Sequence, residues 1–570
     1  MKLKGRGKEK SPFLLHLMIL EILGKAMNNQ LIHVGEKSIR EDHMKATDVL
    51  VRCLENEGVE YIFGVMGKET LDLVDSLSRS KKIQFVNTRH EQGATFMADV
   101  YARLSHKAGV CTSTLGPGAT NLLTGIASAT LDFSPVVALI GQAGFERQHK
   151  ESHQYLDLVK IFEPAAKWSI QIKDSLTLAE VVHKAFRTAK MEKPGAVIVE
   201  LPENLAAQEI SDDAITIIPA PTLMSVDEEV IAAVDQINNS QRPFIIVGNG
   251  VFRAKAVTEV NAFIDCLQAP VIHSMKAKGI LPKDNPFNYF TFGFSEKDEV
   301  LPGIEKADLL IVIGYDFVER LPKEWNKKKV PVIHVHAISA EPDEYYPLKS
   351  ELVGDVKRVM QAMIDLKIVP KPWEPSGDLR EKIKQSYHIY GKGISSLSIT
   401  SILQAIEKRT CENTIVLSDV GSHKISIAKT YQPKKPNKVI ISNGLASMGI
   451  AIPGAIGAKL ACSSDPVICI TGDGGALMNF AEIETAVRLG LAFVIIVLND
   501  SKLKLEEQMM MQKLGNDYGT AFGNPDFVQL AESFGIKGER PASINEFEEI
   551  LDKALTKNEF TLIEIKLVNE

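Results

Sequence analysis

The run Gly472-Asp473-Gly474-Gly475 follows an apolar stretch, Val467-Ile468-Cys469-Ile470, and precedes apolar residues at Leu477, Phe480, Ile483 and Val487. The stretch reads as a buried strand, and the later residues, three to four apart, as one face of a helix. Glycines at such a turn let backbone N–H groups approach a phosphate, and a helix start favours its charge. A second apolar run, Phe493 to Leu498, ends at Asn499-Asp500, so Asp473 and Asp500 stand 27 positions apart. Crossover connections in a parallel sheet bring strand ends to one edge. The two carboxylates are therefore expected at one divalent cation over a helix N-terminus. Oxygen ligands on a cation that also binds phosphates describe magnesium. Asp-Gly alone is also an ordinary turn pair.

Glu91 is the second residue with chemistry in view. Apolar Ile83 to Val86 precede it, and Ala94, Met97, Ala98, Tyr101 and Ala102 mark a small-residue helix after it. Its carboxyl has two readings: a first-turn acid favouring the helix dipole, or a proton donor in an apolar setting. Strand-like runs alternate with helical patterns along the whole chain, which argues for parallel α/β layers. Polar, Pro-bearing stretches at Ile217-Ile218-Pro219-Ala220-Pro221 and Val369-Pro370-Lys371-Pro372-Trp373 mark linkers.

A chain of 570 residues is too long for one core and implies three or four domains. The net charge of −7, with basic residues crowded only at the extreme N-terminus, argues against nucleic acid as a partner. Six cysteines (Cys53, Cys111, Cys266, Cys411, Cys462, Cys469) lack metal spacing, as expected of reduced thiols in the cytoplasm. No apolar run reaches the roughly 18 residues of a membrane span. Lys2, Lys4, Arg6, Lys8 and Lys10 before Pro12 to Leu23 faintly resemble a signal peptide, but His16 and Glu21 interrupt it, so a basic, amphipathic or disordered tail is expected instead.

An ordered series of segments resembles the thiamine diphosphate enzymes, and within them the acetolactate synthase group. It comprises Phe63-Gly64-Val65-Met66-Gly67, Arg89-His90-Glu91-Gln92-Gly93-Ala94, Gly116-Pro117-Gly118-Ala119-Thr120-Asn121 with Gly125, and the run from Pro135 to Gln142. It continues with Asp419-Val420-Gly421-Ser422-His423, the run from Ile441 to Ala455, the metal motif, and Phe522-Gly523-Asn524-Pro525-Asp526-Phe527. The resemblance runs from about Met44 to the C-terminus and implies an α/β fold of three consecutive parallel-sheet domains. These are a pyrimidine-binding domain (44–215), a middle nucleotide-fold-like domain (222–368) and a diphosphate- and magnesium-binding domain (375–570), after an N-terminal extension (1–43). Thiamine diphosphate is an electron sink whose C2 carbanion attacks a 2-keto acid. By the resemblance, Glu91 protonates N1′ of its aminopyrimidine, so that the imino nitrogen can take the C2 proton. The Ala446 carbonyl accepts from the 4′-amino group, and Met448 wedges between the two rings. Val420, Gly421, Ser422 and His423 match the loop that reaches the diphosphate; His423 is either a phosphate donor or a solvent-facing loop histidine. Gly472, Asp473, Gly474, Gly475 and Leu503 complete the cofactor contacts, and Asp473, Asp500 and the Lys502 backbone carbonyl hold the magnesium.

The activity so implied is condensation of two pyruvates to 2-acetolactate and CO2, through an enamine on thiamine diphosphate. A related 2-keto acid decarboxylase or oxidase, or a non-catalytic scaffold of the same fold, are the alternatives. Asp500 and the 522–527 segment resemble the catabolic, flavin-free type. Gly248-Asn249-Gly250 after Phe244-Ile245-Ile246-Val247 lacks a third spaced glycine and a following acidic residue, so FAD is not expected. In the family the two halves of a site come from different subunits, which implies a homodimer or homotetramer. Ser501-Lys502-Leu503 departs from the family's Asn-Gly-Tyr. The methionines Met509, Met510 and Met511 form either an adaptable pocket wall or a packed helix face. His334 and His336 share one strand face without a third ligand and are read as core or surface residues.

Overall fold

The computed structural model describes residues 43–211, 217, 224–295, 298–375, 377–389 and 397–567. The N-terminal extension apart from His43, and the first linker apart from Ile217, lie outside the described residues. The chain forms three six-stranded parallel sheets in succession, which is the expected fold class. A short antiparallel pair, His43–Lys45 with Glu209–Ser211, closes the first unit.

The first sheet runs Gln84–Asn87, Tyr61–Gly64, Gly109–Ser113, Val136–Gln142, Ala196–Pro202, Trp168–Gln171. The second runs Asn288–Thr291, Val271–His273, Pro243–Val247, Leu309–Ile313, Val332–His336, Leu348–Val353. The third runs Val439–Ile441, Ile415–Ser418, Val467–Gly472, Val494–Asn499, Thr561–Lys566, Lys537–Glu539. Central strands such as Val494–Asn499 are buried throughout, as helices on both faces of a parallel sheet require. In each sheet the chain moves outward from its first strand, then returns to that strand's other side. The strand order thus reverses next to the first strand, and a crevice opens there beyond the strand ends.

The first and third units share one core. The helices Glu91–Ser105 and Ala451–Ala461 cross with Met97, Val100, Ile452 and Ile456 all buried between them. They approach so closely that a Cβ on Gly457 would sit 2.3 Å from the Met97 carbonyl oxygen. The stretch after residue 368 is anchored: Trp373 donates to the Pro243 carbonyl at 2.7 Å and meets Phe244 edge-on. The helix Leu379–Ser386 buries Leu379 and Ile383 in the core of the middle sheet, so the region expected to start at 375 begins with a helix packed on its predecessor.

His334 and His336 are buried core residues, stacked with ring centroids 5.5 Å apart. All six cysteines are free. Among the described residues no helix is long and apolar enough to cross a membrane.

Candidate active site

The crevice of the third sheet lies between the ends of Ile415–Ser418 and Val467–Gly472, which pair in register at Ser418 and Ile470. A cleft with about 600 Å3 of space, part of it open to solvent, lies there. Val420, Gly421, Ser422, His423, Met448, Gly472, Asp473, Gly474, Gly475, Asp500, Lys502 and Leu503 all line it. Of the expected third-domain residues only Ala446 is outside the lining; its φ of +55° is left-handed, rare for a non-glycine, and aims the local backbone.

The buried Asp419 carboxylate braces this cleft. It accepts from the backbone N–H of Val420 at 2.7 Å and of Gly449 at 2.8 Å, and from the Thr471 hydroxyl at 3.1 Å. Three segments of the site are thereby tied to one group, whose pKa burial raises. The sequence reading placed Asp419 in its loop but gave it no role.

Gly472 pairs with Leu498 on the adjacent strand, which brings Asp473 and Asp500 to one edge as expected. Asp473 is buried; its Oδ1 accepts from Gly474 N at 2.8 Å, and its Oδ2 from Ser501 N at 2.7 Å and Asn524 Nδ2 at 2.8 Å. Asp500 accepts from Lys502 N at 3.2 Å. Burial first, and the negative Asp473 second, raise the Asp500 pKa. The Lys502 ammonium turns away to Glu507. Among the described residues no three His, Cys, Asp or Glu side chains cluster as a metal site, so a cation here would need other oxygens, from backbone, amide, water or phosphate, beside the two carboxylates.

His423 does not face solvent. It is 4 % exposed, burial lowers its pKa to about 4, and its Nε2 has no hydrogen-bond partner among the described residues. Its ring lies over glycine: a Cβ on Gly421 would come within 2.9 Å of it. A buried polar atom left without a partner in a glycine-floored cleft fits a phosphate oxygen. Gly474 lies against Met448, with the Met448 Cε 3.3 Å from where its Cβ would be.

Glu91 lies elsewhere. It opens the helix Glu91–Ser105, is 7 % exposed, and accepts from Asn121 Nδ2 at 2.9 Å. It does not line the cleft of its own chain. Its loop is held instead by Glu482, whose carboxylate accepts from Arg89 N at 3.1 Å and His90 N at 3.0 Å. Glu482 was missed, since no local pattern pairs residues 392 positions apart. Asn524 was missed as well, although its segment was noted: its amide touches Asp473, Asn499 and Ser501 within 3.2 Å.

Two local expectations need correction. The single helix read through Leu477, Phe480, Ile483 and Val487 is two, Asp473–Met478 and Glu482–Arg488. The chain breaks at Asn479, whose amide donates to the Gly449 carbonyl at 2.9 Å, so Phe480 and Ile483 are buried while Leu477 and Val487 are exposed. The methionine helix, Lys504–Leu514, buries no residue in this chain; Met509 and Met511 are each 52 % exposed, so it is not a packed face here.

A glycine-floored cleft, an imidazole with no partner for its Nε2 among the described residues and two carboxylates stand together at the strand-order reversal of a parallel sheet, an arrangement that could hold a phosphate and a cation. Residues 44–161 match the N-terminal TPP binding domain of thiamine pyrophosphate enzymes, 230–363 their central domain and 419–565 their C-terminal TPP binding domain. The chain belongs to the thiamine pyrophosphate (thiamine diphosphate) enzyme family. It is 31 % identical over 532 residues to the acetolactate synthase of Bacillus subtilis, covering 91 % of this chain and 93 % of that one. It is 33 % identical over 544 residues to a probable acetolactate synthase large subunit of Methanocaldococcus jannaschii, covering 92 % of each. It is 32 % identical over 558 residues to the corresponding protein of Methanococcus aeolicus, again covering 92 % of each.

Proposed function

We infer that this chain is an acetolactate synthase, which condenses two pyruvates to 2-acetolactate with loss of CO2, using thiamine diphosphate and magnesium. The observation that carries this is the third-sheet cleft, where His423 Nε2, Gly472, Gly474 and Gly475 converge beside Asp473 and Asp500. Thiamine diphosphate supplies the electron sink that makes decarboxylation and carbon–carbon bond formation possible. Val420, Gly421, Ser422 and His423 bind its diphosphate. Asp473, Asp500 and the Lys502 carbonyl hold the magnesium. Ala446, Met448 and Leu503 orient the rings, and Glu91 holds the proton exchanged with N1′.

Glu91 stands outside its own chain's cleft, so we propose a homodimer as the smallest active unit, with two dimers forming a tetramer. Each chain's Glu91 then serves the partner's cleft. The unburied helix Lys504–Leu514 beside the cleft supports this, because it leaves Met509 and Met511 exposed within one chain. We place the functional domains at 44–215, 222–368 and 375–570, the last entered through the helix Leu379–Ser386 that packs on the middle sheet, and the protein in the cytoplasm.

FAD has no part in this reading. At the crevice of the middle sheet a Cβ on Gly248 would lie 2.4 Å from the Gly314 carbonyl oxygen, so the two strand-end loops meet backbone to backbone. Arg253 and His336 pair with Asp316 beside this contact, and the cleft of about 950 Å3 next to the turn is lined by Asn249, Phe252, Arg253 and Lys255 with no glycine floor.

The test is to incubate purified protein with pyruvate, thiamine diphosphate and magnesium and to identify the product. Acetolactate is expected; acetaldehyde, acetate or acetyl phosphate as the main product would reassign the enzyme to the decarboxylases or oxidases. Glu91→Gln should lower the rate by about 10²-fold or more while thiamine diphosphate still binds.

A further inference from the structure

We propose that Asp132 is a positioning residue for the cofactor: its carboxylate holds the backbone at 442–444 and so sets where the Ala446 carbonyl and Met448 stand. This rests on the roles given to Ala446 and Met448 above.

Asp132 ends the helix Pro117–Leu131 and is fully buried. Its Oδ1 accepts from Gly444 N at 2.9 Å, Asn443 N at 3.1 Å and Lys276 Nζ at 3.1 Å. Its Oδ2 accepts from the Ser442 hydroxyl at 2.7 Å and Arg103 Nη2 at 3.0 Å. A carboxylate offers about four lone-pair sites, so this one is saturated. Burial alone would raise its pKa, but Lys276 and Arg103 hold it well below the ordinary carboxylate range. The five donors come from all three sheets' units: Arg103 from the first, Lys276 from the second, and 442–444 from the third.

A clamp between domains needs the two cations but has no need of the two backbone N–H groups. Those N–H groups are what connect Asp132 to the site. Gly444 is pressed onto the residue before Asp132, since a Cβ there would lie 2.3 Å from the Leu131 carbonyl oxygen. The Asn443 side chain is fixed separately, accepting from Lys424 at 3.1 Å and donating to the Glu319 carbonyl at 3.2 Å. Downstream, Gly449 N donates to Asp419. The segment that carries Ala446 and Met448 is thus pinned by one buried carboxylate on each side. Asp419 belongs to the same sheet's unit; Asp132 reaches in from another.

Asp132→Asn cannot accept from all five donors, and its amide nitrogen must face one of them. In the cofactor-free protein, hydrogen–deuterium exchange of the amides at 442–448 should speed by about tenfold or more, as local protection is lost. In the presence of magnesium and thiamine diphosphate, exchange of the cofactor's C2 proton, read by NMR, should slow by about 10²-fold, the scale of a misplaced reacting group. The affinity for thiamine diphosphate should stay near that of the unaltered protein, because the diphosphate end is held elsewhere. Lys276→Gln, which loosens the domain contact but leaves the Ser442, Asn443 and Gly444 bonds, should keep the unaltered C2 exchange rate. Gly444→Ala shifts the same segment with every charge in place; it should slow C2 exchange, and it carries the test if Asp132→Asn does not fold. Unchanged C2 exchange in Asp132→Asn, or in Gly444→Ala where that variant carries the test, overturns the assignment. So does an equal slowing in Lys276→Gln at matched loss of stability. Unaltered protein that binds the cofactor without accelerating C2 exchange would instead sink the functional reading itself.

Discussion

The middle and third sheets have the same kind of strand order, yet their crevices differ. In the third, Gly472 and Gly475 floor an open cleft, and Asp473 and Asp500 stand together with no Lys or Arg ion-paired to either among the described residues. In the middle, Gly248 and Gly314 touch, Arg253 Nη1 lies 2.8 Å from Asp316, and Arg253 Nη2 lies 3.1 Å from Glu192. His336 Nε2 adds a contact to Asp316 at 3.3 Å. Topology creates a crevice in both sheets. Charge then decides its use. At the middle crevice Arg253 is taken up by Asp316 and Glu192, and the cleft of about 950 Å3 beside it carries cations such as Lys255 and Lys276 in place of paired carboxylates. In the third, two carboxylates that repel each other ask for a cation from outside.

The sharpest way to break this contrast is Arg253→Met. It takes the guanidinium from Asp316 and Glu192, leaving Asp316 with Lys193 at 3.4 Å as its one Lys or Arg partner among the described residues, and should cost about 3 kcal/mol of stability in denaturant unfolding. Thiamine diphosphate affinity should be unaffected; equal losses in both would mean that the two crevices are not independent.

Asp500→Ala should weaken magnesium and thiamine diphosphate together by at least about 10²-fold, beyond the usual effect of losing an outer-shell partner. Asp500→Asn should be milder, because an amide oxygen still ligates. Small and equal effects, measured by titration calorimetry, would show that the cation is held elsewhere.

Acid acts on both regions, since burial lowers the pKa of His423 and of His334 alike to about 4, and a single substitution isolates the middle sheet's share. Burial first, and the neighbouring His336 second, lower the His334 pKa to about 4. The unfolded chain therefore binds a proton that the folded chain refuses between the ordinary histidine range and about pH 4. Stability is full above that window and falls as pH drops through it. His334→Gln should flatten that part of the stability profile; an unchanged slope would assign the titration to other groups.

The smallest expected effect is that of added FAD. Purified protein should be colourless and gain no activity from it. A flavin absorbance band that survives gel filtration, with activity lost on its removal, would show that the protein carries FAD and overturn this.

Much of the cleft was legible because its signals are local. Glycine at 472, 474 and 475, the apolar run before it and the next run ending at Asp500 fix strand, turn and strand within some thirty residues, and crossover handedness does the rest. The three-sheet α/β architecture was legible for the same reason. Periodicity failed within a few residues of the same motif, where Asn479 finds the Gly449 carbonyl and breaks one expected helix into two.

Sequence by itself determined that residues 420–423, 472–475 and 500–503 belong at one sheet edge, and that parallel sheets carry them, since both follow from residue type and short-range spacing. Only the tertiary structure decided that His423 is buried with no partner for its Nε2 among the described residues, that Glu91 is outside the lining of its own chain's cleft, and that Arg253 is paired with Asp316 at the middle crevice. It alone joined Asp132 to Ser442, 310 positions away. Such contacts depend on how whole sheets pack, and a hydrogen bond between distant segments leaves no period in either of them.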